Sequence, residues 1–162
     1  MKILICEDNE RKFIGIQDVI LASNPIAEIK WVKYSKAALN ELKSESEYDI
    51  LIQDMQLPIN SDSRIDPEGG LYVLNQLKYR KIRPDLKVCV CSSDKKYQQV
   101  LIDKGFDDID FIYFASFSFV VEMNNFISKC KINGTNENKN EIVRINNENI
   151  WCVYSYYAIK ST

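Results

Sequence analysis

Two apolar stretches of the chain end in carboxylates. "KILICED" (2–8) closes on Glu7 and Asp8, and "YDILIQD" (48–54) closes on Asp54, with "MQLP" following. A third apolar run, "LKVCVCSSD" (86–94), closes on the hydroxyls of Ser92 and Ser93. If these runs are strands of one open α/β sheet, their carboxyl ends lie along the edge where such sheets bind ligands. Three carboxylates gathered there would repel one another and raise each other's pKa values. A hard divalent cation removes the difficulty, and Mg2+ favours one or two carboxylates together with waters and a phosphate oxygen. A carboxylate beside Mg2+, with a hydroxyl close by, is equipped for in-line attack on phosphorus to give an acyl phosphate. Each residue also has a plainer use. Glu7 or Asp8 can cap the helix that follows, Ser92, Ser93 or Asp94 the next one, and Asp54 can form a turn.

The elements that must position these groups alternate along the chain. Strand-like runs fall at 2–6, 28–32, 49–54, 86–91 and 109–114. Between and after them lie amphipathic stretches. In 10–23, Phe13, Ile16, Ile20 and Leu21 recur near helical spacing before Asn24-Pro25 stops the pattern. Ser35 is placed to cap "KAALNELKS", and Leu71, Leu74 and Leu77 form a third stripe. "DKKYQQVLIDKG" ends at Gly105, a natural C-cap, and "SFVVEMNNFISKC" (118–130) begins at Ser118. Five strand–helix pairs in strict alternation predict a parallel sheet covered by helices on both faces. The continuous apolar character of the third and fourth strands fits burial from both sides.

Beyond residue 130 the composition changes. "KINGTNENKN" (131–140) reads as a polar linker, and 141–162 as two short strands around "NNEN". A lone hairpin is marginal in water, so this extension must pack on the main domain or on a second copy of the chain, as a docking or dimerisation element.

Bulk properties narrow the function classes. With 21 Lys and Arg against 23 Asp and Glu the net charge is −2, and no basic stripe argues for direct nucleic-acid binding. No apolar run is long enough to span a bilayer and no signal-peptide core is present, so a cytoplasmic location is expected. Five cysteines (6, 89, 91, 130 and 152), three of them inside apolar runs, match buried thiols better than a disulfide framework. The absence of histidine and of C-x-x-C argues against zinc.

Taken together, "ILICEDNE", "YDILIQDMQLP", "GGLYVL", "VCVCSSD" and "DKGFDDIDFI" resemble the receiver domain of two-component response regulators, in order and nearly in spacing, over residues 1–130. The resemblance implies a flavodoxin-like, doubly wound sheet of five parallel strands in the order 2-1-3-4-5. It implies Asp54 as phospho-acceptor, with Mg2+ held by Glu7, Asp8, Asp54 and the backbone carbonyl of Gln56. Ser92 would be the switch hydroxyl and Phe111, or a neighbouring aromatic, the coupled switch residue on strand five. Gly70 would start the third helix. The phosphoryl source would be a histidine kinase or phosphotransfer protein, and the readout an interaction with a downstream protein. Such a chain is a signalling switch that catalyses at most its own phosphorylation and dephosphorylation.

Three departures from the pattern matter. Receivers carry a lysine at the end of strand five, and here "DFIYFASFSF" offers Ile112 or Phe114 instead. Losing that cation forfeits a charge-assisted contact worth roughly 1.5–3 kcal/mol. The loop 59–70 is long and brings Asp62, Arg64, Asp66 and Glu68; either it is a solvated insertion, or Arg64, or Lys95 or Lys96 after strand four, replaces the missing cation. The thirty residues after the last helix are too few for a winged helix. Two readings therefore stand: a receiver phosphorylated on Asp54, or a receiver-like interaction module that works without phosphate. A phosphatase on a similar fold would need a second acid two residues after the nucleophile, where this chain has Gln56.

Overall fold

The computed structural model describes residues 1–44, 47–80 and 82–132. The expected linker beyond Ile132 and the 141–162 extension lie outside these residues. Five parallel strands form the main sheet: β1 (Lys2–Cys6), β2 (Glu28–Val32), β3 (Ile50–Gln53), β6 (Lys87–Ser92) and β7 (Asp110–Tyr113). Their spatial order is β2-β1-β3-β6-β7, the predicted 2-1-3-4-5 in core-strand terms. The strand order reverses between β1 and β3, which is where ligands bind in such sheets.

Five helices cover the sheet: α1 (Glu10–Ser23), α2 (Ser35–Lys43), α3 (Gly69–Arg80), α4 (Lys96–Asp103) and α5 (Phe119–Ile132). Side-chain alternation assigns the faces. Ile3, Ile5, Ile50, Ile52, Cys89, Cys91 and Ile112 point toward α1 and α5, where they meet Phe13, Ile16, Val19, Ile20, Met123, Phe126 and Ile127. Leu4, Cys6 and Leu51 point the other way, toward Leu39 and Leu42 of α2 and Val73 of α3. Val90 joins Leu71, Leu74, Tyr97, Leu101 and Phe106 on that second face. Every residue of β3 is buried, as its unbroken apolar run requires of a central parallel strand.

Helix ends differ from the sequence expectation in three places. α1 is capped by Asn9, whose Oδ1 accepts from Lys12 N at 3.1 Å, leaving Glu7 and Asp8 free of that duty. Ser35 is not a cap: it is the first helical residue, and its buried Oγ donates to Gly69 O at 2.7 Å, tying α2 to the start of α3. α5 continues to Ile132, two residues past the expected boundary. Gly105 follows α4 at φ +72°, the left-handed conformation expected of it. The long loop after β3 contains a small antiparallel ladder, β4 (Leu57–Pro58) with β5 (Ile65–Asp66).

Candidate functional site

Register builds the site. Cys6 pairs with Gln53 across β1 and β3, and Asp54 N donates to Cys6 O at 2.9 Å one step beyond the strand. The parity that turns Ile3 and Ile5, and Ile50 and Ile52, toward α1 continues into Glu7 and Asp54. Both carboxylates are buried, Glu7 at 1% exposure and Asp54 at 6%. Asp8 joins them half-buried, and one carboxylate oxygen from each of the three lies within 4.8 Å of the others. The acids expected to converge from separate stretches do so.

A cation that the sequence reading did not single out lies among them. Lys12, in the first turn of α1 and 6% exposed, donates from Nζ to Asp54 Oδ1 at 2.6 Å. The same nitrogen is 2.7 Å from Glu7 Oε2. The one ammonium thus bridges both buried carboxylates. Glu7 Oε1 accepts from Asn9 N at 2.9 Å. Burial pushes the Glu7 carboxyl up to about 7 despite the neighbouring ammonium, and Asp54 repels its charged form as well. Asp54 is likewise raised, chiefly by burial, with Lys12 opposing. Burial alone would lower Lys12, but Asp54 and Glu7 outweigh it and hold its ammonium above the ordinary value. With all three acids ionised, three carboxylates and one ammonium leave the site a formal charge of −2.

The replacement cations proposed from sequence are elsewhere. Arg64 is exposed next to β5, and Lys95 is exposed at the N-terminus of α4, with Nζ 6.0 Å from the Tyr113 ring. Neither forms an ion pair with Asp54 among the described residues, whereas Lys12 does. The physical reason is parity and depth. Asp54 faces α1, and α1's buried stripe runs Lys12, Phe13, Ile16, Val19 and Ile20, so a long side chain at position 12 enters from within the core. The signal was legible: a lysine four residues before Ile16, on the face the helix buries. Asp62 between β4 and β5, Asp66 in β5 and Glu68 just after it are exposed and do not join the carboxylate cluster.

At the far end of the site, the fifth core strand ends without a charge. Ile112 is core, while Phe114 lies just past β7, its N donating to Ser92 O at 2.9 Å. The Phe114 ring packs edge-on against Phe119 at 4.8 Å and lies 6.0 Å from Lys12 Nζ. Of the two residues at the end of this strand, Ile112 and Phe114, it is Phe114 that borders the Lys12 ammonium. Ser92 is fully buried at the end of β6, its Oγ accepting from Asp94 N at 3.3 Å. No hydrogen bond joins it to Asp54 among the described residues. Gln56 is half-buried two residues past Asp54. Phe111 is partly buried beside Tyr97, Leu101 and Phe106 of the α4 region, on the opposite face from Asp54.

Two further features frame the site. Gly70, at the start of α3, backs directly onto it: a Cβ there would stand 2.8 Å from Met55 Cα and closer still to the Asp54 carbonyl oxygen. Trp31 on β2 donates from Nε1 to Glu7 O at 2.6 Å and stacks on Phe13 with centroids 4.2 Å apart.

The carboxylate set fits a divalent cation. Three converging carboxylate oxygens within 4.8 Å of one another match the hard-cation donor set.

No family model matches the sequence, and none of the curated proteins does. Solved structures do. The bacteriophytochrome response regulator AtBRR aligns at 17% identity with TM-score 0.65, covering 86% of this chain and 97% of its own. The receiver domain of a Francisella response regulator aligns at 17% and 0.58, covering 83% and 98%. The phosphorylated cyanobacterial phytochrome response regulator RcpA aligns at 17% and 0.59, covering 85% and 96%. The fold is that of response-regulator receiver domains.

Proposed function

We propose that this chain is a receiver, a signalling switch that accepts a phosphoryl group on Asp54 from a phosphohistidine-bearing kinase or phosphotransfer protein. The observation that carries this reading is the convergence of Glu7, Asp8 and Asp54, within 4.8 Å, at the point where the sheet's strand order reverses. Those three residues, with the Gln56 carbonyl, would hold Mg2+, which supplies charge neutralisation to the transferring phosphoryl group. Asp54 is the nucleophile by position: it directly follows the central strand, at the carboxyl edge of the sheet, and carries a carboxylate held by one ammonium. Ser92, buried at the end of the neighbouring strand, is the hydroxyl this reading assigns to the phosphoryl group. The expected output is a change in a protein-binding surface.

One feature favours a second reading, an interaction module independent of phosphate. The Lys12 ammonium already neutralises part of the acid cluster, so the buried carboxylates have a structural partner without phosphate or metal.

Beryllofluoride separates the two. With Mg2+, the receiver reading predicts saturable binding that changes Trp31 fluorescence in a Trp151→Phe background and is lost in Asp54→Asn. No Asp54-dependent response to beryllofluoride or to a small acyl phosphate would leave the interaction module standing.

A further inference from the structure

We infer that Lys12 is the cation this site uses on the phosphoryl group, delivered from the first turn of α1 instead of from the end of the fifth core strand. The inference rests on the reading of Asp54 as acceptor.

Three observations carry it. Lys12 touches the atoms that would react, with Nζ 2.6 Å from Asp54 Oδ1, and among the described residues its ammonium pairs with Asp54 and Glu7. Its placement is poorly suited to a purely structural lysine. It lies in the first helical turn, where the helix dipole disfavours a cation. It also heads an otherwise apolar stripe with a charge that must be desolvated. Finally, the fifth core strand closes the site with the Phe114 ring, which puts an apolar wall where another cation would otherwise reach.

The ammonium has a donor to spare. One proton is used on Asp54 Oδ1 and a second faces Glu7 Oε2 at 2.7 Å, so one of the three remains for a phosphoryl oxygen. In the transfer, one carboxylate oxygen of Asp54 attacks phosphorus and a new P–O bond forms. The donor's P–O or P–N bond breaks, and its electron pair leaves with the donor's carboxylate or imidazole. Lys12 keeps its proton throughout and moves hydrogen bonds from Asp54 Oδ1 to the non-bridging oxygens. Nothing is oxidised or reduced. Since Lys12 belongs to α1 and Phe13 beside it stacks on Trp31, the phosphoryl group is felt first in α1 and the β2 edge.

The test uses the full chain, in a Trp151→Phe background, with Mg2+ and beryllofluoride as probe and Trp31 emission as readout. Lys12→Met should bind beryllofluoride about ten- to a hundred-fold more weakly, the loss expected of one charge-assisted contact. Its Mg2+ affinity, measured without fluoride, should be unchanged or tighter, because a competing cation is gone. Lys12→Arg should stay within a few-fold of wild type, and adding Phe114→Lys to Lys12→Met should recover most of the lost affinity. If Lys12→Met does not fold, Lys12→Gln carries the same comparison, keeping donors without charge. Folded Lys12→Met or Lys12→Gln that binds beryllofluoride as wild type does would overturn the inference and leave Asp54 as acceptor. Wild type that shows no Asp54-dependent binding overturns both.

Discussion

Removing the Lys12 charge should unbalance the centre of the protein. In Lys12→Met the side-chain volume is nearly kept, but Glu7 and Asp54 lose the ammonium 2.6–2.7 Å away and remain buried. Breaking one side of a buried ion pair costs about 3–5 kcal/mol, far more than the ~0–1 kcal/mol of an exposed pair. At about 2–4 °C per kcal/mol for a chain of this size, the melting temperature should fall by roughly 6–20 °C at pH 8 in EDTA. The penalty must shrink at pH 5, because both carboxyls are already pushed up and can be neutralised by protons. Mg2+ should also restore stability by binding the folded state, by about 2.7 kcal/mol at a hundred times its dissociation constant. Thermal melts of wild type and Lys12→Met at pH 5 and pH 8, with EDTA or Mg2+, give four comparisons. A drop under 2 °C at pH 8 in EDTA, or a drop equal at the two pH values, would refute the idea that Lys12 neutralises a buried acid pair.

Further expectations can be checked separately. In metal-free wild type, Glu7 sits at about 7 when folded against an ordinary 4.5, so the folded state holds more protons between those values. Unfolding free energy should therefore fall as pH rises from about 5 to 7, by up to ~1.4 kcal/mol per unit, and Mg2+ should flatten the slope. Asp54 is raised and acts in the same direction, while the raised Lys12 contributes stability that is lost only in strongly alkaline solution. Urea titrations at each pH would show it, and stability rising over this window would contradict it. Gly70→Ala must push the start of α3 away from Met55 and the Asp54 carbonyl, costing about 1–3 kcal/mol and weakening beryllofluoride binding more than Ala substitution at exposed Tyr79. Cys89 and Cys91 are buried and their thiols pushed up, Cys91 to about 12, by burial, so a thiol reagent should label them only at the rate of unfolding. Rapid native labelling of either would contradict the core assignment.

The sheet was legible because two-sided burial writes itself as unbroken apolar runs, and the helices because their stripes recur at helical spacing. β1, β2 and α1 begin and end where the residues predict. The acid cluster was legible for a related reason: a parallel sheet places all its strand ends on one edge, so Glu7, Asp8 and Asp54 had to meet. What could not be read was which long side chain fills the space between them. Lys12 and Asp54 are 42 residues apart, and only the docking of α1 on β1 and β3 brings them together. A charged residue beside the stripe of Phe13, Ile16 and Ile20 is the one local signal, and lysines and arginines near the strand ends carry the same charge without its depth. Ser35 shows the same limit, since its hydroxyl suits a local cap by type but is taken by Gly69 from a distant helix.

The central claim is that Asp54 becomes an acyl phosphate. Incubation with Mg2+ and a small acyl phosphate, followed by borohydride reduction and peptide mapping, tests it at the bond itself. Residue 54 recovered as homoserine, in wild type and not without the phosphodonor, is the predicted result. An unmodified Asp54, under conditions where the folded protein binds Mg2+, would contradict it.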